Sequence, residues 1–264
     1  MCRHAAYTGP PMALRSILAD LDHSLYHQAY QARELLTGVV CADGYGVGWY
    51  APDQGLDAAR YTFPGPIWSD PNLDGFTSMV QAPMLMAAVR NATVAGQNTH
   101  DNCAPFASGR HLASLNGFLN DFDASWRDGL MDALPPERRR AIQGSTDGEA
   151  VFQTILAELE RHDGPSALAT AVQHVCRDLV QQGQEAGLPV QLNWLVSDGE
   201  QVVATRCGSG PSQNSLYVLR DGEEFPGGIV LASEPLYDDP AWEPVAPDSV
   251  VVATAGAPLV HLTV

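Results

Sequence analysis

The chain contains no lysine: all 14 of its basic residues are arginine. This excludes every mechanism that needs a lysine amine, among them a Schiff base, a pyridoxal-phosphate anchor and the lysine of a phosphate-binding loop. Positive charge is scarce altogether, 14 basic residues against 31 acidic ones, for a formal charge of −17. A protein this acidic repels phosphate backbones, so neither nucleic acid nor an anionic membrane is an expected partner. No apolar run approaches the ~18 to 20 residues of a membrane span. The opening Met-Cys-Arg-His lacks the apolar stretch of a secretory signal, so a cytoplasmic location is expected. There is no Cys-x-x-Cys pair. The five cysteines (Cys2, Cys41, Cys103, Cys176, Cys207) are scattered and odd in number, which argues against a disulfide framework or a zinc ribbon. All but Cys2 are expected to be small buried hydrophobes. Also missing are internal repeats, low-complexity tracts and any linker rich in Pro, Gly and Ser, so residues 1–264 are expected to form one domain.

What is present alternates between two periodicities. Residues 2–8 read as a strand stopped by Gly9-Pro10-Pro11, and the state of 12–36 is left open by mixed spacing. Residues 44–50 form a glycine-rich strand candidate, followed by strands at 59–63, 84–90 and 111–116. Apolar residues then recur at helical spacing from Asp147 to Arg161, and again in a helix opened by Pro165 and closed near Gly183. Strand patterns return at 190–196, 201–206, 215–219, 228–233, 249–254 and 259–264. Strands, two long helices and strands again predict sheets covered by helices, an α+β fold. Glu137-Arg138-Arg139-Arg140 is expected to be a solvated helix face.

Cys2 is the first candidate for chemistry. Removal of Met1, expected because the second residue is small, would leave its thiol beside a free α-amine. Such an amine has an unperturbed pKa of ~7.7–8.0, so nucleophile and general base come from one residue. Asn116-Gly117 follows a strand, and its amide and N–H are a candidate oxyanion hole, although Asn-Gly is also a common turn dipeptide. Arg90 ends an apolar strand, where a guanidinium suits bidentate capture of a carboxylate or a surface ion pair. Ser145-Thr146-Asp147-Gly148-Glu149 opens a helix as a capping box, and Asp147 there is also placed to meet a substrate ammonium.

The order of these segments carries more than any one of them. Cys2, Ala42 to Tyr50, Arg90-Asn91-Ala92-Thr93, Asn116-Gly117 and Thr146-Asp147 together resemble class II glutamine amidotransferases, which are N-terminal-nucleophile hydrolases. Met1-Cys2-Arg3-His4, Ala42–Pro52, Ile67-Trp68-Ser69-Asp70 and Ala232-Ser233-Glu234-Pro235-Leu236 bring the resemblance nearest to the amidohydrolases of ergothioneine biosynthesis. The resemblance implies a four-layer αββα sandwich. It also implies that Cys2 attacks a γ-glutamyl amide while Asn116 and Gly117 hold the oxyanion, and that Arg90, assisted by Thr93, takes the α-carboxylate and Asp147 the α-amine. The implied substrate is a γ-glutamyl-cysteine sulfoxide conjugate of trimethylated histidine. Three positions depart from the pattern: Leu115 and Ala104 replace frequent histidines, and Gly148 replaces a frequent serine. Other activities compatible with the same residues are hydrolysis of another γ-glutamyl thiol peptide such as glutathione, a glutaminase subunit feeding a partner synthase, and a non-catalytic γ-glutamyl-binding module.

Weaker patterns point elsewhere. No metal or cofactor is expected. His23 and His27 are spaced for one helix face but lack a third ligand, so two partly exposed histidines are expected. Gly44-x-Gly46-x-Gly48 is followed by a strand pattern and is no dinucleotide fingerprint. Trp49, Trp68, Trp194 and Trp242 are candidates for an aromatic face to a trimethylammonium group, with the core as the alternative for most.

Overall fold

Side chains alternate along β1 (Arg3–Ala13): Ala5 and Tyr7 enter one hydrophobic cluster and Ala6 another. The same split recurs wherever a strand lies between two layers, because successive side chains point to opposite faces. In the computed structural model, which describes all residues except 1, 52–54, 56, 93–97 and 211–212, two antiparallel sheets are stacked face to face. The strands are β2 (Tyr45–Tyr50), β3 (Ala58–Phe63), β4 (Gln81–Val89), β5 (Phe106–Ser108), β6 (His111–Leu119), β7 (Val190–Ser197) and β8 (Gln201–Arg206). They continue with β9 (Tyr217–Arg220), β10 (Ile229–Ala232), β11 (Glu243–Pro244), β12 (Ser249–Thr254) and β13 (Val260–Thr263). One sheet runs β11-β9-β10-β1-β4-β2-β3 and the other β13-β12-β8-β7-β6-β5.

Ala6, Met84 and Met86 of the first sheet meet Leu112, Leu195 and Val251 of the second in the inner layer. The outer face of the first sheet is covered by α1 (Arg15–Leu18), α2 (Leu25–Gln31) and α3 (Leu73–Met79), through residues such as Ile17, Leu25 and Leu73. The outer face of the second is covered by α6 (Asp147–Leu159) and α7 (Ala167–Ala186), which follow two short helices, α4 (Arg127–Ala133) and α5 (Pro136–Ala141). Phe152, Ile155, Val172 and Leu179 of these helices are buried against Leu192 and Trp194. Each such side chain contributes about 1.5–3 kcal/mol. The expected αββα sandwich is therefore present. Cys41, Cys103, Cys176 and Cys207 are buried, as expected of small hydrophobes. No described helix is long and apolar enough to cross a membrane.

Several boundaries differ from the sequence pattern. Gly9-Pro10-Pro11 does not end β1: the register against β4 shifts between Thr8 and Met12 and pairing resumes. A bulge tolerates proline because it needs no ladder N–H. Gly183 lies inside α7, packed against β7, and the helix stops at Gly187, whose φ of 68° is the left-handed C-cap glycine favours. Asn116-Gly117 does not follow a strand. It lies within β6, whose pairing with β7 continues to Leu119 opposite Val190, so the turn alternative is excluded.

The inner layer also holds a buried polar contact. His4 Nδ1 lies 3.1 Å from Ser114 Oγ, joining β1 to β6, and burial pulls the His4 imidazole down to about 3. The unfolded chain protonates this ring near its ordinary 6.5, whereas the folded chain resists. Stability is thus full above pH 6.5 and falls as pH drops toward 3. His4→Gln should flatten the decline in unfolding free energy between pH 6.5 and 5 by up to about 1.4 kcal/mol per pH unit, measured by denaturant titration. An unchanged slope would remove His4 as its source.

Candidate active site

The register of the first sheet brings the N-terminus to the site. Arg3 pairs with Val89, so the next residues outward on the two strands are Cys2 and Arg90. Cys2 and Arg90 line a cleft of about 340 Å³ together with Gly117 of β6 and Asp147 at the start of α6. That volume lies at the small end of ligand pockets. Cys2 is partly exposed, and its Sγ lies 3.9 Å from the Asn91 carbonyl. Burial pushes the Cys41 thiol up to about 12 and the Cys103 thiol up to about 11, so neither supplies a thiolate near neutral pH.

Arg90 is anchored through both its backbone and its guanidinium. Its N–H donates to the Gly44 carbonyl at 2.7 Å, and its Nη1 donates to the Asp43 carbonyl at 3.2 Å. Asp43 in turn accepts from the Ala92 N–H at 2.8 Å, fixing the chain just beyond Arg90. Asp147 is held by two backbone donors, Leu119 N–H and Gly148 N–H, each at 2.8 Å. Burial raises its pKa, opposed by those hydrogen bonds and by the charge of Arg90. The helix start beneath it is capped as expected, with Thr146 Oγ1 accepting from Glu149 N–H at 3.3 Å. The Glu149 carboxylate turns instead to Gln143 N–H and Gly144 N–H, at 2.8 and 2.7 Å.

Asn116 adjoins the cleft without lining it. Its side chain is fully buried, with Nδ2 donating to Ser233 Oγ at 3.3 Å. The same Ser233 hydroxyl accepts from His4 N–H at 3.0 Å, so one side chain ties Asn116 to β1. An amide nitrogen carries two hydrogens, and this contact uses one. Gly117 is glycine for steric reasons: a Cβ there would stand 1.9 Å from the Gln191 carbonyl oxygen on β7. Thr93 lies outside the described residues.

The three departures from the family pattern, Ala104, Leu115 and Gly148, all line the cleft. None of the four named tryptophans does. Trp194 and Trp242 are core, and the cleft's aromatic residues are Phe106, Phe118 and Phe122. His23 and His27 do not share a helix face: His23 precedes α2, is buried rather than partly exposed, and lies 2.8 Å from Glu234 Oε2. The positioning residues Ser233, Glu234 and Asp43 lie in stretches that carried the resemblance, but the linear pattern gives them no role.

The fold and the cleft define a class, and the comparisons agree with it. The model for class-II glutamine amidotransferases matches residues 16–225, and the chain belongs to that family. It is 30% identical over 260 residues, covering 98% of both chains, to a Mycolicibacterium smegmatis protein named gamma-glutamyl-hercynylcysteine sulfoxide hydrolase. It is 26% identical to a Saccharomyces cerevisiae probable glutamine amidotransferase, covering 99% of this chain and 84% of that one. Among solved structures, a class-II glutamine aminotransferase domain protein from Silicibacter pomeroyi shares the fold with a TM-score of 0.69, at 24% identity over 99% of both chains.

Gly117→Ala tests the sheet geometry beneath the cleft. The added methyl forces β6 and β7 apart, at an expected cost of about 3 kcal/mol and a fall in melting temperature of roughly 5–10 °C. A melting temperature unchanged in calorimetry would show that the close approach is not obligatory.

Proposed function

We propose that the chain is a cysteine amidohydrolase of ergothioneine biosynthesis. It cleaves the γ-glutamyl amide of a cysteine sulfoxide conjugate of trimethylated histidine. The observation that carries this reading is one cleft presenting a thiol (Cys2), a guanidinium (Arg90) and a carboxylate (Asp147). These match the amide carbon, α-carboxylate and α-ammonium of a glutamyl group, both charged contacts being charge-assisted. The mycolicibacterial relative's name supports the substrate class.

With Met1 removed, the α-amine of Cys2 takes the thiol proton and Sγ adds to the γ-carbonyl carbon. The oxyanion is assigned to Asn116 Nδ2–H and Gly117 N–H. Collapse breaks the C–N bond, and the leaving nitrogen takes the former thiol proton from the α-ammonium. Water, deprotonated by the same amine, then hydrolyses the γ-glutamyl thioester and releases glutamate. Thr93 is assigned a supporting contact at the glutamyl carboxylate.

A second reading, hydrolysis of another γ-glutamyl thiol peptide such as glutathione, draws support from Ala104, Leu115 and Gly148, because all three departures line the cleft. Comparing kcat/KM for the histidine-derived conjugate, γ-glutamylcysteine, glutathione and free glutamine separates the two. The conjugate should be preferred; equal turnover of glutathione or glutamine would leave only the general γ-glutamyl amidohydrolase.

Point variants separate binding from chemistry. Asn116→Ala should lower kcat by about 10²–10³ with little change in KM, the usual consequence of losing one oxyanion donor. Arg90→Lys should raise KM despite conserving charge, because lysine lacks the planar two-point fork. If Asn116→Ala raises KM and spares kcat, its role is structural and the oxyanion hole lies elsewhere.

A further inference from the structure

Three side chains converge beside the end of α6: Glu158 in its last turn, His162 just beyond it and His174 on α7. Glu158 Oε1 lies 2.9 Å from His162 Nε2 and 3.1 Å from His174 Nδ1. The two imidazole rings stand edge to face, with centroids 5.2 Å apart and planes at 70°. One donor atom from each residue lies within 4.8 Å of the other two, and no other trio of His, Cys, Asp or Glu converges so closely among the described residues. Arg161 Nη1 holds the second carboxylate oxygen, Oε2, at 3.0 Å.

We propose that Glu158, His162 and His174 form a binding site for a divalent transition-metal ion, with zinc as the preferred occupant. Two imidazole nitrogens and one carboxylate oxygen are a donor set of zinc sites that keep a position open. Hard cations such as calcium and magnesium select all-oxygen sites instead. The side chains of His162 and His174 are 25% and 33% exposed, so water can complete the coordination sphere. Without metal, each near nitrogen carries a hydrogen bonded to the shared oxygen. On binding, each of those nitrogens must give up its hydrogen to offer the metal a lone pair.

Physical economy favours a metal as the reason for the cluster. Exposed ion pairs contribute only about 0–1 kcal/mol, little return for ordering side chains from α6, the loop after it and α7 around one oxygen. A metal bond is strong enough to do so. It would pin α7 to the end of α6, the helix whose first residue is Asp147, about 16 Å away along the axis. The site lies off the cleft, and its role is to brace the helix pair rather than to take part in hydrolysis.

The test uses the full chain stripped of metal and titrated with Zn²⁺ by calorimetry and with Co²⁺ by visible absorption. One equivalent of zinc should bind, and His174→Ala and His162→Ala should each weaken binding by at least about 100-fold. Both histidines are partly exposed, and circular dichroism checks that each variant is folded. Cys2→Ala should leave zinc affinity unchanged, and the cobalt spectrum should lack a thiolate charge-transfer band. Hydrolase activity of metal-free His174→Ala should match that of the metal-free parent. Absence of stoichiometric zinc binding, or binding that survives in both histidine variants, would overturn the proposal. So would a thiolate band lost in Cys2→Ala, which would place the metal at the N-terminus.

Discussion

The ion pair between Arg3 and Glu234 is the constraint on which the site depends. A nucleophile at the second position sits at a chain end, where order is ordinarily lowest. Here the end is threaded between β4 and β10 in the middle of a sheet, and the residue after Cys2 is an arginine with no exposed surface. Arg3 Nη1 lies 3.4 Å from Glu234 Oε1. Burial pushes the Glu234 carboxyl up, but His23, the backbone N–H groups of Arg33 and Glu34 and the Arg3 charge outweigh it and hold the group below its ordinary range. Breaking a buried pair by removing one partner typically costs about 3–5 kcal/mol. In this molecule the loss falls on the strand that carries the nucleophile.

Ser233 adds direction to that anchor. Its hydroxyl accepts from His4 N–H and from Asn116 Nδ2, and its own N–H donates to the His4 carbonyl at 2.9 Å. Two adjacent residues of the stretch Ala232 to Leu236 thus set the axial position of β1 and the orientation of the assigned oxyanion donor. On the opposite wall, backbone donors at Leu119 and Gly148 aim the Asp147 carboxylate. The groups assigned to the substrate are therefore held by strand ends and a helix start rather than by mobile side chains. Preorganisation of this kind is what electrostatic stabilisation of a transition state requires.

Much of the fold was legible because it follows local periodicity. Alternation located the central strands, and helical spacing located α6 and α7. It failed where a residue answers to a distant neighbour. Gly183 reads as a helix stop but is glycine because β7 packs against it. Asn116-Gly117, expected just after a strand and with a turn as the alternative, lies within the strand, with Gly117 required by the Gln191 carbonyl. The short helices α3, α4 and α5 bury too few apolar residues to show a period. In the site, Cys2, Arg90, Gly117 and Asp147 were legible through the order of motifs and meet in one cleft. Ser233 and Glu234 were not, since the contacts that give them their roles join segments at least 117 residues apart. The convergence of His162 and His174 on Glu158 was hidden likewise, because it depends on how α7 packs beside α6.

The central claim is that the Cys2 thiol, beside a free α-amine, is the nucleophile. Intact and peptide-level mass spectrometry after incubation with a γ-glutamyl electrophile tests it most directly. The expected result is a chain lacking Met1 that gains one γ-glutamyl adduct, located on Cys2. A fully active chain that retains Met1, or an adduct on any other residue, would contradict it.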